Sequence, residues 1–282
     1  MLNTATYRHK KALIVTKHGK EQVIQPLLKK YLGIDAVFSE GFDTDQFGTF
    51  SGSIERKDGP KETVKKKCLS ALKTFSNTIG IATEGSFGAH PASPFLAAHE
   101  EWVVFIDLEN GIEVYEHQLS TSTVQFSKSI HSLEEALSFM NTIDFPAQRI
   151  FIHRSEKVDE SAKSPEKLTE ATLDIEHILS QQEACWITSD LRAHANPSRM
   201  KVIEEVTEKL MKRLLVNCPK CAAPGYGRED VKRGLPCTQC NFPTSGIQAD
   251  IFECKSCGCR EEKNQANYPK GQDPMYCLIC NP

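Results

Sequence analysis

Eight of the chain's 11 cysteines form four Cys-x-x-Cys pairs: Cys218/Cys221, Cys237/Cys240, Cys254/Cys257 and Cys277/Cys280. Such a turn sets two thiolates on one side of a tight bend, and two turns together supply the tetrahedral sulfur set that Zn2+ favours. Fifteen residues separate the first pair from the second, and 19 separate the third from the fourth. Both gaps suit a zinc ribbon. Pairing in chain order, giving two consecutive four-cysteine ribbons, is the simpler reading; a crossed arrangement is the other that the spacing allows. A closed four-cysteine site has no open coordination position, so two such ions would stabilise a small domain rather than do chemistry. Cys259, just past the third pair, is expected to be a bystander.

Three further segments carry side chains suited to anions or to acid–base work. Thr16-Lys-His-Gly-Lys-Glu21 follows the first apolar run, and a glycine- and lysine-bearing turn before a helix suits phosphate. Its candidates are Thr16, His18 and Lys20. In Glu84-Gly-Ser-Phe-Gly-Ala-His-Pro91, at the expected carboxyl end of a buried strand, Glu84 is placed to carry Mg2+ and His90 to move a proton. In Asp190-Leu-Arg-Ala-His-Ala-Asn-Pro-Ser-Arg199, Arg192, His194 and Arg199 stand at a helix start and suit an anion clamp. A fourth, weaker candidate is Asp43 with Asp45, near the aromatic pair Phe47 and Phe50. Each segment also has a plain structural role open to it: a solvated turn, a glycine-rich bend, a helix cap, a surface ion pair. His99 and His117 have no constellation around them and read as ordinary structural residues.

These groups need elements to position them. Apolar runs at Ala12–Thr16, Ala36–Ser39, Thr78–Thr83, Trp102–Asp107, Ile112–His117, Ile150–His153 and Cys185–Thr188 read as strands. Helical spacing covers Glu21–Leu32, with Pro26 expected to kink it or delay its start. It also covers the stretch after Gly59-Pro60, where Cys68 falls on the apolar face, the stretch after the Ser132-x-x-Glu135 capping box, the stretch after Ser164-Pro165, and Asn196-Pro197 through Leu215. Glu109-Asn110-Gly111 predicts a type I′ hairpin turn. Strands alternating with helices mean an α/β domain with a mixed sheet flanked by helices, over residues 1–217. Residues 218–282, richer in Gly and Pro, form the small Cys-rich twin-ribbon domain.

Composition sets limits. A net charge of −3, with 39% hydrophobic and 25% charged residues, fits a globular chain and not a disordered one. The longest apolar run, Trp102–Ile106, cannot cross a bilayer, and no apolar stretch near the N-terminus is long enough for a signal core, so a cytoplasmic location is expected. From Cys218 onward eight Lys and Arg face seven Asp and Glu, and each zinc–tetrathiolate centre adds about −2. This argues against phosphate-driven nucleic-acid binding by the tail and favours a protein partner or plain stabilisation.

Several motifs together resemble an uncharacterised bacterial family, a domain of unknown function with a zinc-binding tail. They are Thr16-x-His18-Gly19-Lys20-Glu21, Glu40-Gly-Phe-Asp-Thr-Asp-x-Phe-Gly-Thr-Phe50, Glu84-Gly-Ser-Phe-Gly-x-His-Pro91, Asp190-x-Arg-Ala-His-x-Asn-Pro-x-Arg-Met200 and Gly234-Leu-Pro-Cys237. The first half is also similar to the inosine/xanthosine triphosphate pyrophosphatase superfamily. There a Thr-x-Asn-x-x-Lys turn binds triphosphate, a Glu-Thr helix follows, and an acidic strand end holds Mg2+. Thr16 and Lys20 match the turn, Glu62-Thr63 the helix and Glu84-Gly85 the strand end, with His18 in place of asparagine and Thr83-Glu84 in place of a carboxylate pair.

That likeness implies an Mg2+-dependent nucleotide pyrophosphatase. Lys20 with Arg192 or Arg199 would hold phosphates, Glu84 with Glu62 or Asp43 would hold Mg2+, and His18, His90 or His194 would transfer protons. The alternative is a non-catalytic protein that binds a nucleotide or other phosphorylated small molecule, with ribbons that contact a protein or nucleic acid. The missing second carboxylate favours that alternative.

Overall fold

A computed structural model of the chain describes residues 7–39, 41–42, 58–155, 162–264 and 269–282. Asp43, Asp45, Phe47 and Phe50 lie outside the described residues.

The chain opens with β1 (Lys11–Val15), α1 (Glu21–Leu32), β2 (Asp35–Phe38), α2 (Pro60–Thr74) and β3 (Ile79–His90), and continues with β4 (Ser93–Asp107) and β5 (Ile112–Ser120). These strands form one mixed sheet in the order β2-β1-β3-β4-β5. β1 is parallel to β2 and β3, and β3-β4-β5 is an antiparallel meander. The chain steps outward from β1 to β2 and back across β1 to β3. Two right-handed crossovers of opposite sense place their helices on opposite faces. Accordingly α1 packs with Ile14, Ile81, Val103 and Phe105 on one face, and α2 with Leu13, Ala82, Val104 and Ile106 on the other.

Local chemistry explains the helix limits. Gly33 ends α1 in the left-handed conformation, at φ 66°, where a Cβ would be costly. Pro26 lies inside α1, which neither ends nor starts late there. Pro60 occupies the first turn of α2, where a missing N–H costs nothing. The expected type I′ turn is not formed. Asp107 and Ile112 close a four-residue loop, Asp107 accepts the amides of Glu109 and Asn110, and Gly111 has the positive φ of 62°.

After β5 the chain leaves this sheet. β6 (Ser127–Ile130), β7 (Ile150–His153) and β8 (Cys185–Ser189) make a second, antiparallel sheet in the order β6-β8-β7. With α3 (Leu133–Thr142) and α4 (Leu168–Ser180) it encloses its own apolar core of Ile130, Ile150, Ile175 and Ile187. The described part of residues 1–217 thus holds two sheets. The chain returns through a 3-10 turn, Ala193–Ala195, into α5 (Pro197–Leu214), which lies beside α1 against the first sheet. Asn196 caps α5 by accepting the Arg199 amide at 2.9 Å, and its side-chain amide donates to the carbonyl of Val124.

The tail forms a third, antiparallel sheet from β9 (Gly227–Arg233), β10 (Ile247–Glu253) and β11 (Arg260–Lys263). It is not a free appendage. Cys218, Ala223, Tyr226 and Cys254 belong to the same core as α1 and α5. Arg213 near the end of α5 donates to the carbonyls of Gly225 at 3.1 Å and Tyr115 at 2.9 Å, joining helix, first sheet and tail.

Candidate functional site: a buried charge cluster and two four-cysteine groups

The four Cys-x-x-Cys turns share one geometry. In each, the amide four residues after the first cysteine donates to that cysteine's carbonyl: Ala222 to Cys218, Asn241 to Cys237, Gly258 to Cys254 and Asn281 to Cys277, at 2.8–3.0 Å. Their pairing is crossed. Cys218, Cys221, Cys254 and Cys257 form one group, and Cys237, Cys240, Cys277 and Cys280 the other, with the sulfurs of each within 4.8 Å of one another. This corrects the expectation of two consecutive ribbons. The antiparallel pairing of β9 with β10 brings the third turn to the first, and the return of the chain along β10 as β11, with Gln272 bridged to Cys237, brings the fourth to the second. Sulfur separations of 3.7 Å (Cys218–Cys257), 3.6 Å (Cys221–Cys254), 3.8 Å (Cys237–Cys280) and 3.6 Å (Cys240–Cys277) match the ~3.8 Å edge of a tetrahedron with metal–sulfur bonds of ~2.3 Å. Both groups could therefore hold a structural metal ion. Cys259 is outside both and packs, half-buried, against the main core.

The second concentration of reactive side chains lies on the first sheet, where β3 and β4 run past the end of β1. On β4, His99, Glu101, Val103 and Phe105 alternate onto the face covered by α1 and α5. Glu101 is fully buried there and takes three partners. Lys20, at the start of α1, donates to its Oε1 at 3.3 Å and to Thr83 Oγ1 at 2.6 Å. Arg199, in the first turn of α5, donates from Nη2 and Nε to Oε2 at 3.1 and 3.2 Å. His99 Nε2 lies 2.8 Å from the same oxygen, and its Nδ1 lies 2.9 Å from Thr123 Oγ1. Phe87 stacks on the His99 ring at 4.4 Å, and the Arg199 guanidinium sits 5.3 Å from the Phe87 centroid. On the α2 face, Lys67 pairs with Glu84 and donates to the Thr83 carbonyl.

Burial shapes the protonation of this cluster. Desolvation alone would raise the Glu101 carboxyl, but Arg199, Lys20 and His99 overcome it and hold the group well below the usual carboxylate range. Burial lowers the Lys20 ammonium to about 8, against the opposing pull of Glu101 and with further lowering from Arg199 and Lys67. Gly85 makes the close packing possible. A Cβ there would stand 2.5 Å from Glu101 Oε2 and 2.6 Å from Arg199 Nη2.

Of the residues singled out in the sequence, Lys20, Glu84 and Arg199 converge here, on the two faces of adjoining strands. His18 and His194 meet at its margin, with ring centroids 5.2 Å apart, beside the turn in which the His18 amide donates to Thr16 Oγ1. The others stand apart. Arg192 is committed to Asp190, which also accepts from Ser164 at 3.0 Å. Glu62 lines a different cleft, over β5. His90 sits at the tip of the β3–β4 ribbon, five residues or ~17 Å beyond Gly85, and accepts the Ala92 amide. The expected glycine turn at Glu84–Pro91 is instead strand as far as His90, because Gly85 and Gly88 pair with Glu101 and Ala98 across the ladder.

Glu101, His99, Lys67 and Thr83 are the residues that reading the sequence missed. The signal was periodic. Glu101 and His99 share parity with Val103 and Phe105, so a buried apolar strand extended by two residues puts both in the core. Lys67 shares the helix face of Val64 and Ala71, three and four residues away.

Among the described residues only the two cysteine sets form a group of three or more side chains that could hold a metal ion. Among the described residues no helix is long and apolar enough to cross a membrane. No curated protein matches the chain. A family model described as "Domain of unknown function (DUF6671)" matches residues 67–282, a span that includes β3, β4, α5 and both cysteine groups and leaves out Lys20. The chain belongs to this family of unknown function.

Proposed function

We propose that the protein binds a small phosphorylated ligand at the end of β1, without hydrolysing it, and that the two four-cysteine groups hold structural zinc. One observation carries the reading. Among the described residues the cluster sets three bases, Lys20, Lys67 and Arg199, against two carboxylates, Glu84 and Glu101, leaving a positive charge beside the Thr16–Lys20 turn. Buried charge of one sign is costly, and an anion offsets it. The carboxyl end of parallel strands, with a lysine at the start of α1, is where α/β sheets take phosphates.

The same pairing argues against a Mg2+-dependent pyrophosphatase. Glu84 is engaged by Lys67, Glu101 by Lys20, Arg199 and His99, and Glu62 belongs elsewhere. Exposed Leu278, Ile279 and Met275 beside the second cysteine group support protein contact over nucleic-acid contact for the tail.

Calorimetric titration with nucleoside triphosphates and pyrophosphate, with and without Mg2+, tests the reading. Binding without Mg2+, weakened at least tenfold by Lys20→Met, and with no phosphate released, is expected. Mg2+-dependent turnover would restore the hydrolase, and no binding to any of these anions would remove the site.

A further inference from the structure

A second cleft lies on the α2 face, away from the Glu101 cluster. It has a volume of about 470 Å3 and sits between the first turns of α2, the start of β5 and the turn that carries Cys254 and Cys257. Three ammonium groups line it: Lys61 and Lys65 from α2, and Lys255 from the cysteine turn. Glu62, Glu113 and Tyr115 complete its polar wall.

The charges are not equally spent. Lys65 donates to Glu113 Oε1 at 2.9 Å, and the Tyr115 hydroxyl donates to the same oxygen at 2.7 Å, so that carboxylate is satisfied. Lys255 is anchored from outside the cleft by Glu253 at 2.9 Å and Glu229 at 3.3 Å. Lys61 differs. Its ammonium lies over two rings, 4.9 Å from the Tyr115 centroid and 5.7 Å from that of Trp102, and no carboxylate among the described residues pairs with it. The aromatic faces fix the position of this cation without neutralising it. Glu62, beside it, makes no ion pair within 4.0 Å among the described residues, and Lys66 on the same helix lies close enough to feel its charge.

An ammonium held over two rings, next to a carboxylate that makes no direct ion pair, suits a ligand with an anionic end and a hydrogen-bond donor a few ångströms away. The volume falls in the range of small-molecule sites. We propose that this cleft binds a small phosphate monoester carrying hydroxyl groups, of sugar-phosphate size. Its phosphate lies between Lys61 and Lys255, and a hydroxyl donates to Glu62. The site draws its walls from both the first sheet and the first cysteine group, so bound ligand ties the two together.

Calorimetric titration of the full, metal-loaded chain with glucose 6-phosphate, inorganic phosphate and glucose tests this. Glucose 6-phosphate should bind at least tenfold more tightly than inorganic phosphate, and glucose should not bind. Lys61→Met should cost at least tenfold with metal content and circular dichroism unchanged. Glu62→Gln should erase the preference over inorganic phosphate. In a Lys20→Met background, which removes the site at the end of β1, Lys61→Met should still cost at least tenfold, and this separates the two sites. No binding at millimolar ligand would overturn the proposal, as would binding indifferent to both Lys61→Met and Lys255→Met.

Discussion

The four-cysteine groups and the Glu101 cluster concentrate reactive side chains in opposite ways. Each cysteine group gathers four potential thiolates with no basic side chain among its ligands, a set that calls for a cation. Among the described residues the Glu101 cluster sets three bases against two carboxylates, a set that we propose accepts an anion. The first is built from local turns closed by backbone hydrogen bonds, the second from residues brought together across the chain: Lys20 and Glu101 are 81 positions apart, and Arg199 and Glu101 are 98. Local turns make a site that a short stretch of sequence announces. Long-range pairing makes one that only the fold assembles.

The cysteine groups should give the largest effects, and they should differ from each other. Cys218 and Cys254 belong to the main core, whereas the second group is bordered by exposed Phe242, Leu278 and Ile279. Losing a structural metal site is among the few changes that cost more than about 5 kcal/mol. Cys221→Ser should therefore lower the melting temperature of the whole chain. Cys240→Ser should leave the main transition in place and expose only amides near the second group to hydrogen exchange. Equal effects on global melting would show that the first group is no more integrated than the second.

Next in size is the charge cluster. Arg199→Met leaves a fully buried carboxylate short of its main cation and should destabilise by about 3–5 kcal/mol in denaturant unfolding. Pairing Arg199→Met with Glu101→Gln should recover much of that loss, since a neutral amide tolerates the site better than an unpaired charge. Gly85→Ala should cost about 1–3 kcal/mol, through the close contacts its Cβ would make with Glu101 and Arg199.

The comparison also explains what can be read from sequence. The termini of α1, α2 and α5 are legible because Gly33, Pro60 and Asn196 act locally. The eight cysteine ligands are legible for the same reason. Their crossed pairing is not, because it depends on β9, β10 and β11 folding back on one another. Glu84–His90 reads as a turn because glycines usually mark one; here Gly85 is needed for space beside Glu101. Glu101 reads as a charge flanking an apolar run because its partners come from α1 and α5.

Smaller, but closest to function, is the dependence of anion binding on pH. Burial holds Lys20 at about 8, so its charge is lost as pH rises through that value. Phosphate esters, with a second pKa of ~6, stay fully charged over the same range. The central claim is that Lys20, at the start of α1, receives a phosphoryl anion. Its most direct test is calorimetric titration of wild type and Lys20→Met with a nucleoside monophosphate, a phosphate monoester, from pH 7 to pH 9. The account predicts wild-type binding that weakens across pH 8, and an affinity in Lys20→Met that is at least tenfold lower at pH 7 and flat with pH. Equal affinity in the two proteins at pH 7, or no binding by either, would contradict it.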